Sequence, residues 1–235
     1  KNHNYKGVLI EGDKNYYNKL CKNFKDDTIV KINKYVTFLG ENKLDNILLN
    51  TNIKKNFDFL SIDIDGCDYY ILASLNLYRP KIICVEYNHL IPNSVEFIQE
   101  KNFDIKQGSS AKSLTNLAKA KNYQLIASSF SNLFFIENSY SDFVIKDEIS
   151  IEDLIDDSEI KNFIFPSYDG TLHTTKPVKL GWHKLDIKNK KIQVLPSYLR
   201  KFPDDYNIFQ KILFLIFREF FNPGRFIKKL FKTLK

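Results

Sequence analysis

Hydrophobic positions along this chain fall into short, nearly unbroken runs separated by stretches with helical spacing. Gly7-Val8-Leu9-Ile10-Glu11 is an apolar run ending in an acid, followed by Gly12 and Asp13. Tyr16, Tyr17, Leu20 and Phe24 then recur every three to four residues, the period of a one-sided helix, and Asp13 stands where that helix needs an N-cap. Residues 29–38 hold one or two strand-like pieces broken at Asn33-Lys34, and residues 42–53 read as a short helix around Leu44, Ile47 and Leu48. The run from Phe57 to Ile64 is the most continuous, and it ends in Asp63, Asp65 and Asp68 with Gly66 among them. Such a run predicts a strand buried on both faces, as in parallel sheets. Gly66 permits a tight turn into a helix over residues 67–77.

The same rhythm continues with a strand over residues 82–88 that ends in Glu86, Tyr87 and Asn88. A helix opens at Ser109-Ser110 with Leu114, Leu117 and Ala118 on one face. Two further strands, around Leu125 and Phe135, are joined by a link too short for a crossover helix, so they must pair antiparallel. The sum predicts an α/β fold over residues 1–140: a three-layer, doubly wound, mostly parallel sheet ending in an antiparallel hairpin. Beyond Asn138 the rhythm stops. Residues 141–200 read as an irregular extension with an acidic helix over 148–159, and residues 201–235 as a basic amphipathic helical tail. Asp169-Gly170-Thr171-Leu172 reads as a loop turn, because Pro166, Ser167 and Tyr168 before it do not make a strand.

Composition sharpens this picture in three places. Hydrophobic residues are 43% and aromatic residues 14%, which supports a sizeable core and excludes disorder over most of the length. The net charge of +7 is concentrated late: from Lys201 onward eight basic residues face three acidic ones. Three scattered cysteines without a C-x-x-C pair point to free thiols in a reducing, cytoplasmic compartment. No signal peptide is visible at the amino end of this stretch, and no apolar run reaches the length needed to span a bilayer. Methionine is absent, so Lys1 is not expected to be the natural start.

The candidate chemistry lies where apolar runs end in acids. In parallel α/β sheets ligands bind at the carboxyl ends of strands, and an acid there can accept both hydroxyls of a ribose. Glu11 occupies that position, with Gly7 and Gly12 leaving the backbone open to a ligand. Asp63 and Asp65 can serve one site only if the chain begins to turn at Asp65, which Gly66 allows. Two acids this close can hold a divalent cation, act as base and orienter, or split their pKa values by repulsion. Asp68 is placed to complement a helix dipole. Glu86 and Asn88 end the next strand, and His89 beside them is the outside candidate for a general base. The four histidines (His3, His89, His173, His183) have no metal-ligand spacing, so no metal site is expected from them.

Taken in order, Lys6–Asp13, the Phe57–Gly66 run with Asp68-Tyr69-Tyr70, Val85-Glu86-Tyr87-Asn88, the Gly108-Ser109-Ser110 helix with Leu114, Leu117, Ala118 and Tyr123, and Asn132-Leu133-Phe134-Phe135 resemble FkbM-like S-adenosylmethionine-dependent methyltransferases. The resemblance covers roughly residues 5–138. It implies a class I methyltransferase fold with S-adenosylmethionine as cofactor. It also implies that Glu11 holds the cofactor ribose, that Asp63 lies beside its methionine or sulfonium end, and that the reaction is O-methylation of a sugar, glycan or related small acceptor. With the residue readings above, the cofactor-contact candidates are Glu11, Gly12, Asp63, Glu86 and Asn88, and the catalytic candidates Asp63, Asp65 and His89. In that fold a first strand and a glycine-rich loop precede Glu11, so the chain is expected to be incomplete at its amino end.

Three other readings stay open. Asp-x-Asp-Gly after an apolar strand also suits a haloacid-dehalogenase-type phosphotransferase, with Asp63 as nucleophile, Asp65 as acid/base and magnesium as cofactor. A dehydrogenase could use Glu11 on a ribose. A non-catalytic membrane- or glycan-associated module would account for the tail, since residues 206–235 mix basic and large apolar residues in the manner of helices lying peripherally on a membrane. The apolar content of that tail argues against a nucleic-acid arm.

Overall fold

A computed structural model describes residues 5–221. The chain divides into two units, Lys1–Ile160 and Lys161–Lys235.

In the first unit, strand β1 (Gly7–Glu11) leads into helix α1 (Lys14–Asn23), whose N-cap Asp13 accepts hydrogen bonds from the Asn15 and Tyr16 N–H groups. β2 (Ile29–Asn33) pairs parallel with β1 in register from Gly7↔Ile29 to Glu11↔Asn33. Helix α2 (Leu44–Leu49) buries Leu44, Ile47 and Leu48. β3 (Phe59–Ile62), helix α3 (Asp68–Ser74), β4 (Ile82–Glu86), helix α4 (Ala111–Ala120), β5 (Tyr123–Ser128) and β6 (Asn132–Glu137) follow. β3 and β4 are parallel, and β6 runs antiparallel between β4 and β5, giving the order β3-β4-β6-β5. The hairpin follows from its link of three residues, Ser129 to Ser131, which cannot carry a crossover.

The architecture is mixed α/β, and it departs from one continuous sheet: β1 and β2 form a two-stranded sheet with no ladder to the four-stranded one. Val8 and Ile10 of β1 nonetheless pack against the same core, whose largest fully buried side chains include Phe135, Ile71, Leu72, Leu114 and Leu133. β3 also departs from expectation. Leu60 and Ile62 are buried, but Phe59 is 52% exposed and Ser61 shares its open face. The run is continuous in hydrophobicity, yet only one face of it is covered. β4 is the strand buried on both faces, through Ile83, Cys84 and Val85.

Helix ends are set by side chains from elsewhere. The period predicts a helix to residue 77, but α3 stops at Ser74 because the buried Asp45 carboxylate accepts the N–H groups of Asn76 (2.8 Å) and Leu77 (3.1 Å). The acidic helix expected over 148–159 shrinks to α5 (Ile151–Leu154), opened by a Ser150/Asp153 capping box. Asn93 ends it: its N–H donates to Asp157 (2.8 Å) and its Nδ2 to the Ile155 carbonyl (2.9 Å), drawing the chain off its helical path. Ile151 joins the core, so the first unit continues to Ile160.

In the second unit the stretch expected to be irregular carries two antiparallel hairpins. β7 (Ile164–Pro166) pairs with β8 (Leu172–Thr174), and β9 (Val178–Leu180) with β10 (Leu185–Ile187). Asp169-Gly170 is the turn of the first, with Asp169 accepting from the Thr171 N–H and Oγ1 and Gly170 at φ +80°. Pro166 does end a strand, as a proline can where no ladder N–H is required of it. Helix α6 (Ile208–Phe221) closes the described chain. The remaining part of the predicted tail, residues 222–235, and His3 lie outside the described residues. Among the described residues no helix is long and apolar enough to cross a membrane.

Candidate functional site

β3 stops at Ile62, so Asp63 is the first residue past its carboxyl end. The chain then turns at the two positions the sequence marked: Asp65 adopts φ +58° and Gly66 φ +148°. Aspartate tolerates the left-handed region better than most side-chain-bearing residues, and glycine alone is comfortable at the second angle. The turn brings Asp63 and Asp65 to one place. Together with Glu86, the last residue of β4, they present carboxylate oxygens within 4.8 Å of one another.

Asp68 holds this loop in shape. Its side chain is buried and points back, accepting the Ile64 N–H at Oδ1 and the Gly66 N–H at Oδ2, both at 2.9 Å. The dipole role foreseen for it is thus joined by a larger one, as clamp of the acid loop. Burial pushes its pKa up, with the Asp63 charge adding to that, while the two N–H groups work the other way.

Gly66 is locked from the opposite side. A Cβ on it would lie 3.0 Å from both Gln99 Oε1 and the Ile105 carbonyl. Gln99 is fully buried and uses its whole amide: Oε1 accepts from Gln107 and Gly108 N–H, and Nε2 donates to Ile105 O at 2.9 Å and to Cys67 Sγ at 3.2 Å. Nothing in the sequence singles out this glutamine, because its partners lie in two separate segments. Gly66→Ala meets both a disfavoured φ and a rigid wall, so we expect a loss of about 1–3 kcal/mol. A thermal midpoint lowered by several degrees would register it, and an unchanged midpoint would contradict the packing described.

The electrostatics centre on Glu86. Its pKa is pushed up from 4.5 to about 7, first by burial and then by the charges of Asp63, Asp68 and Asp65. In its neutral form the Glu86 carboxyl donates a hydrogen bond to Asp63, which also raises its pKa. Asp65 is more exposed and pairs loosely with Lys106 at 3.6 Å. A pair so open contributes little to stability.

The other residues marked in the sequence are placed as follows. Asn88 binds its own loop, with Nδ2 donating to the Gln107 carbonyl at 2.6 Å and Oδ1 accepting the Leu90 N–H. His89 is half-buried against the ring of Phe130, 4.1 Å between centroids, and burial pushes its pKa down, which keeps the imidazole neutral at pH 7. Glu11 ends β1; one oxygen accepts the Asp13 N–H at 2.8 Å, and the other has no protein donor among the described residues. Gly12 differs from expectation. Its bare face is covered by Tyr35, whose ring atom Cδ1 would stand 2.3 Å from a Cβ at that position. Asn33 steadies the same turn, donating from Nδ2 to the carbonyls of Glu11 and Gly12. Tyr35 and Phe130 are aromatic neighbours that sequence reasoning missed, since each sits in a loop without periodic pattern.

No curated protein and no solved structure matches the chain. A family comparison does match: residues 41–125 fit the model described as "Methyltransferase FkbM domain". That stretch contains Asp63, Asp65, Asp68, Glu86, Asn88 and His89, while Glu11 and Gly12 precede it. The part of the chain that builds the acid loop and the end of β4 is therefore similar to FkbM methyltransferase domains.

Proposed function

We propose that this protein is an S-adenosylmethionine-dependent methyltransferase that O-methylates a sugar, a glycan or a related small hydroxyl-bearing acceptor. The observation that carries the reading is Glu86: a half-buried carboxyl at a parallel strand's end, poised near pH 7 by the acids beside it, within the stretch similar to FkbM domains. The reversed strand β6 between β4 and β5 suits a class I methyltransferase arrangement of the sheet.

The donor set fits the cofactor. A carboxylate at the end of β1 with one oxygen unused by the protein suits a pair of ribose hydroxyls, so Glu11 would hold that part. Asp63, at the end of β3, would face the cationic end of the cofactor, and the adjoining acids favour that charge. When bound, S-adenosylmethionine supplies a methyl group already activated on a good leaving group. The chain's own work is then alignment of the acceptor hydroxyl and removal of its proton. Glu86, ionised above about pH 7, takes that proton. His89, neutral and adjacent to β4, is the second group able to accept one. The setting is a reducing, cytoplasmic one, which suits Cys21, Cys67 and Cys84 standing as free thiols.

Calorimetric titration of the full-length protein with S-adenosylhomocysteine tests the reading. Binding is expected, and Glu11→Ala should weaken it at least about tenfold, the loss of one charge-assisted hydrogen bond. Absence of heat, or identical binding in Glu11→Ala, would reject it.

A second reading has a specific observation in its favour: three carboxylates within 4.8 Å also suit a divalent cation, as a magnesium-dependent phosphotransferase requires. Magnesium-dependent hydrolysis of p-nitrophenyl phosphate that is lost in Asp63→Asn would select it over methyl transfer.

A further inference from the structure

Helix α6 is apolar on more than the side that packs, where Leu213, Phe214 and Phe217 are partly buried. Its solvent-facing sector contains Ile208, Phe209, Ile212, Leu215, Ile216 and Phe220, of which Ile208 is 80% and Phe220 84% exposed. These positions recur at three- and four-residue steps, so they form one stripe along the helix. The helix is held to its own unit by the opposite side, where Phe214 meets the ring of Tyr206 at 5.5 Å and Gln210 donates to the Tyr198 carbonyl. Tyr206 in turn donates from its hydroxyl to the Leu199 carbonyl. Charge on the stripe is sparse. Lys211 lies exposed at its margin, and Glu219, within the sector, is engaged by Arg218 at 3.1 Å.

A contiguous apolar surface of this kind needs a cover, because single exposed apolar residues are ordinary but a continuous stripe of six is not. Charge decides which cover fits. The residues directly following the helix, 222–235, include Arg225, Lys228, Lys229, Lys232 and Lys235 and no acid, interleaved with Phe226, Ile227, Leu230, Phe231 and Leu234. A second copy of the same chain would bring the same excess of positive charge against it. An anionic lipid surface would meet the basic residues with opposite charge and take the isoleucine and phenylalanine side chains into its headgroup boundary.

We propose that α6 docks this protein onto an anionic membrane surface, lying in the interface plane with the Ile208–Ile212–Ile216–Phe220 stripe inserted, and that the basic charge of the sequence after it adds attraction to lipid phosphates. The docking surface is independent of the methyl-transfer reading, since none of its residues belongs to the acid loop or to β4.

Vesicle co-sedimentation of the full chain tests this. Binding is expected to vesicles of phosphatidylcholine mixed with phosphatidylserine, and to pure phosphatidylcholine at least about tenfold more weakly, with the difference shrinking as salt is raised. The double variant Ile212→Glu, Ile216→Glu should abolish sedimentation while leaving the circular dichroism spectrum unchanged, because both side chains face solvent in the free protein. Should that variant misfold, the triple variant Lys228→Gln, Lys229→Gln, Lys232→Gln supplies the test, with weaker binding and a shallower salt dependence expected. Full-strength binding in both variants, or no binding to anionic vesicles at all, overturns the proposal. A concentration-dependent dimer that Ile212→Glu, Ile216→Glu dissolves, without vesicle binding, would assign the stripe to a second copy instead.

Discussion

Glu86→Gln is expected to lower the rate of methyl transfer by about 10²–10⁴-fold, the usual contribution of a positioned general base. It should also change the shape of the pH profile. The sign follows from the direction of the shift. The carboxyl of Glu86 works as a base only when ionised, and its pKa is pushed up from 4.5 to about 7. The wild-type rate should therefore climb as pH rises towards and through about 7 and then level, whereas the glutamine variant should be flat across that window. Initial rates at saturating cofactor and acceptor over a pH series would check it. A variant that keeps the rising limb would assign the base elsewhere, with His89 next in line. Stability gives an independent reading of the same group. Because the folded-state pKa lies above the unfolded one, the folded form binds the proton more tightly. The stability gained this way is present in full below pH 4.5 and is lost as pH climbs through about 7. The side chain is only half-buried, so water screens part of the effect. The slope should be shallow in the wild type and absent in Glu86→Gln.

Asp68→Ala should give the largest loss of stability at the site, about 2–4 kcal/mol. The substitution removes the acceptors of two backbone N–H groups, Ile64 and Gly66, at the turn where Asp65 already sits in a left-handed conformation. An unpartnered buried N–H costs more than the mean worth of a hydrogen bond, because its desolvation goes uncompensated. Urea titration followed by fluorescence would measure it, with the slope unchanged and the midpoint lowered. Asp68→Asn keeps one acceptor oxygen and should recover part of the loss. Methyl transfer should fall with the alanine variant even at temperatures where it remains folded, because Asp63 and Asp65 would no longer be held together opposite Glu86. A loss below about 0.5 kcal/mol would show that the loop holds its shape without the clamp.

Much of the local structure was legible from residue order. Asp13 before a helical period marked the start of α1, and a three-residue link between two apolar runs dictated an antiparallel hairpin. Asp63-Ile64-Asp65-Gly66 signalled a strand end and a turn, and both appear. These features depend on neighbours within a few residues, so periodicity and turn chemistry suffice to read them. Other elements were misjudged wherever a distant side chain intervened. Asp45 stops α3 early and Asn93 cuts α5 to four residues, and neither partner is near its target in sequence.

What the sequence determined by itself is the alternation of strands and helices, the acids at strand ends and the basic, apolar character of the tail. Tertiary structure alone decided that only one face of β3 is covered, that β1 and β2 form a separate ladder, that Tyr35 lies over Gly12, and that α6 turns its apolar stripe outward. It also decided how Glu86 is tuned, since its proton affinity is set by its burial, by the charges of Asp63 and Asp65 in the loop after β3, and by that of Asp68 at the start of α3. The physical reason is the same in each case. Hydrophobic pattern records what a segment can bury, but coverage and electrostatic potential are set by segments that meet only when the chain has folded.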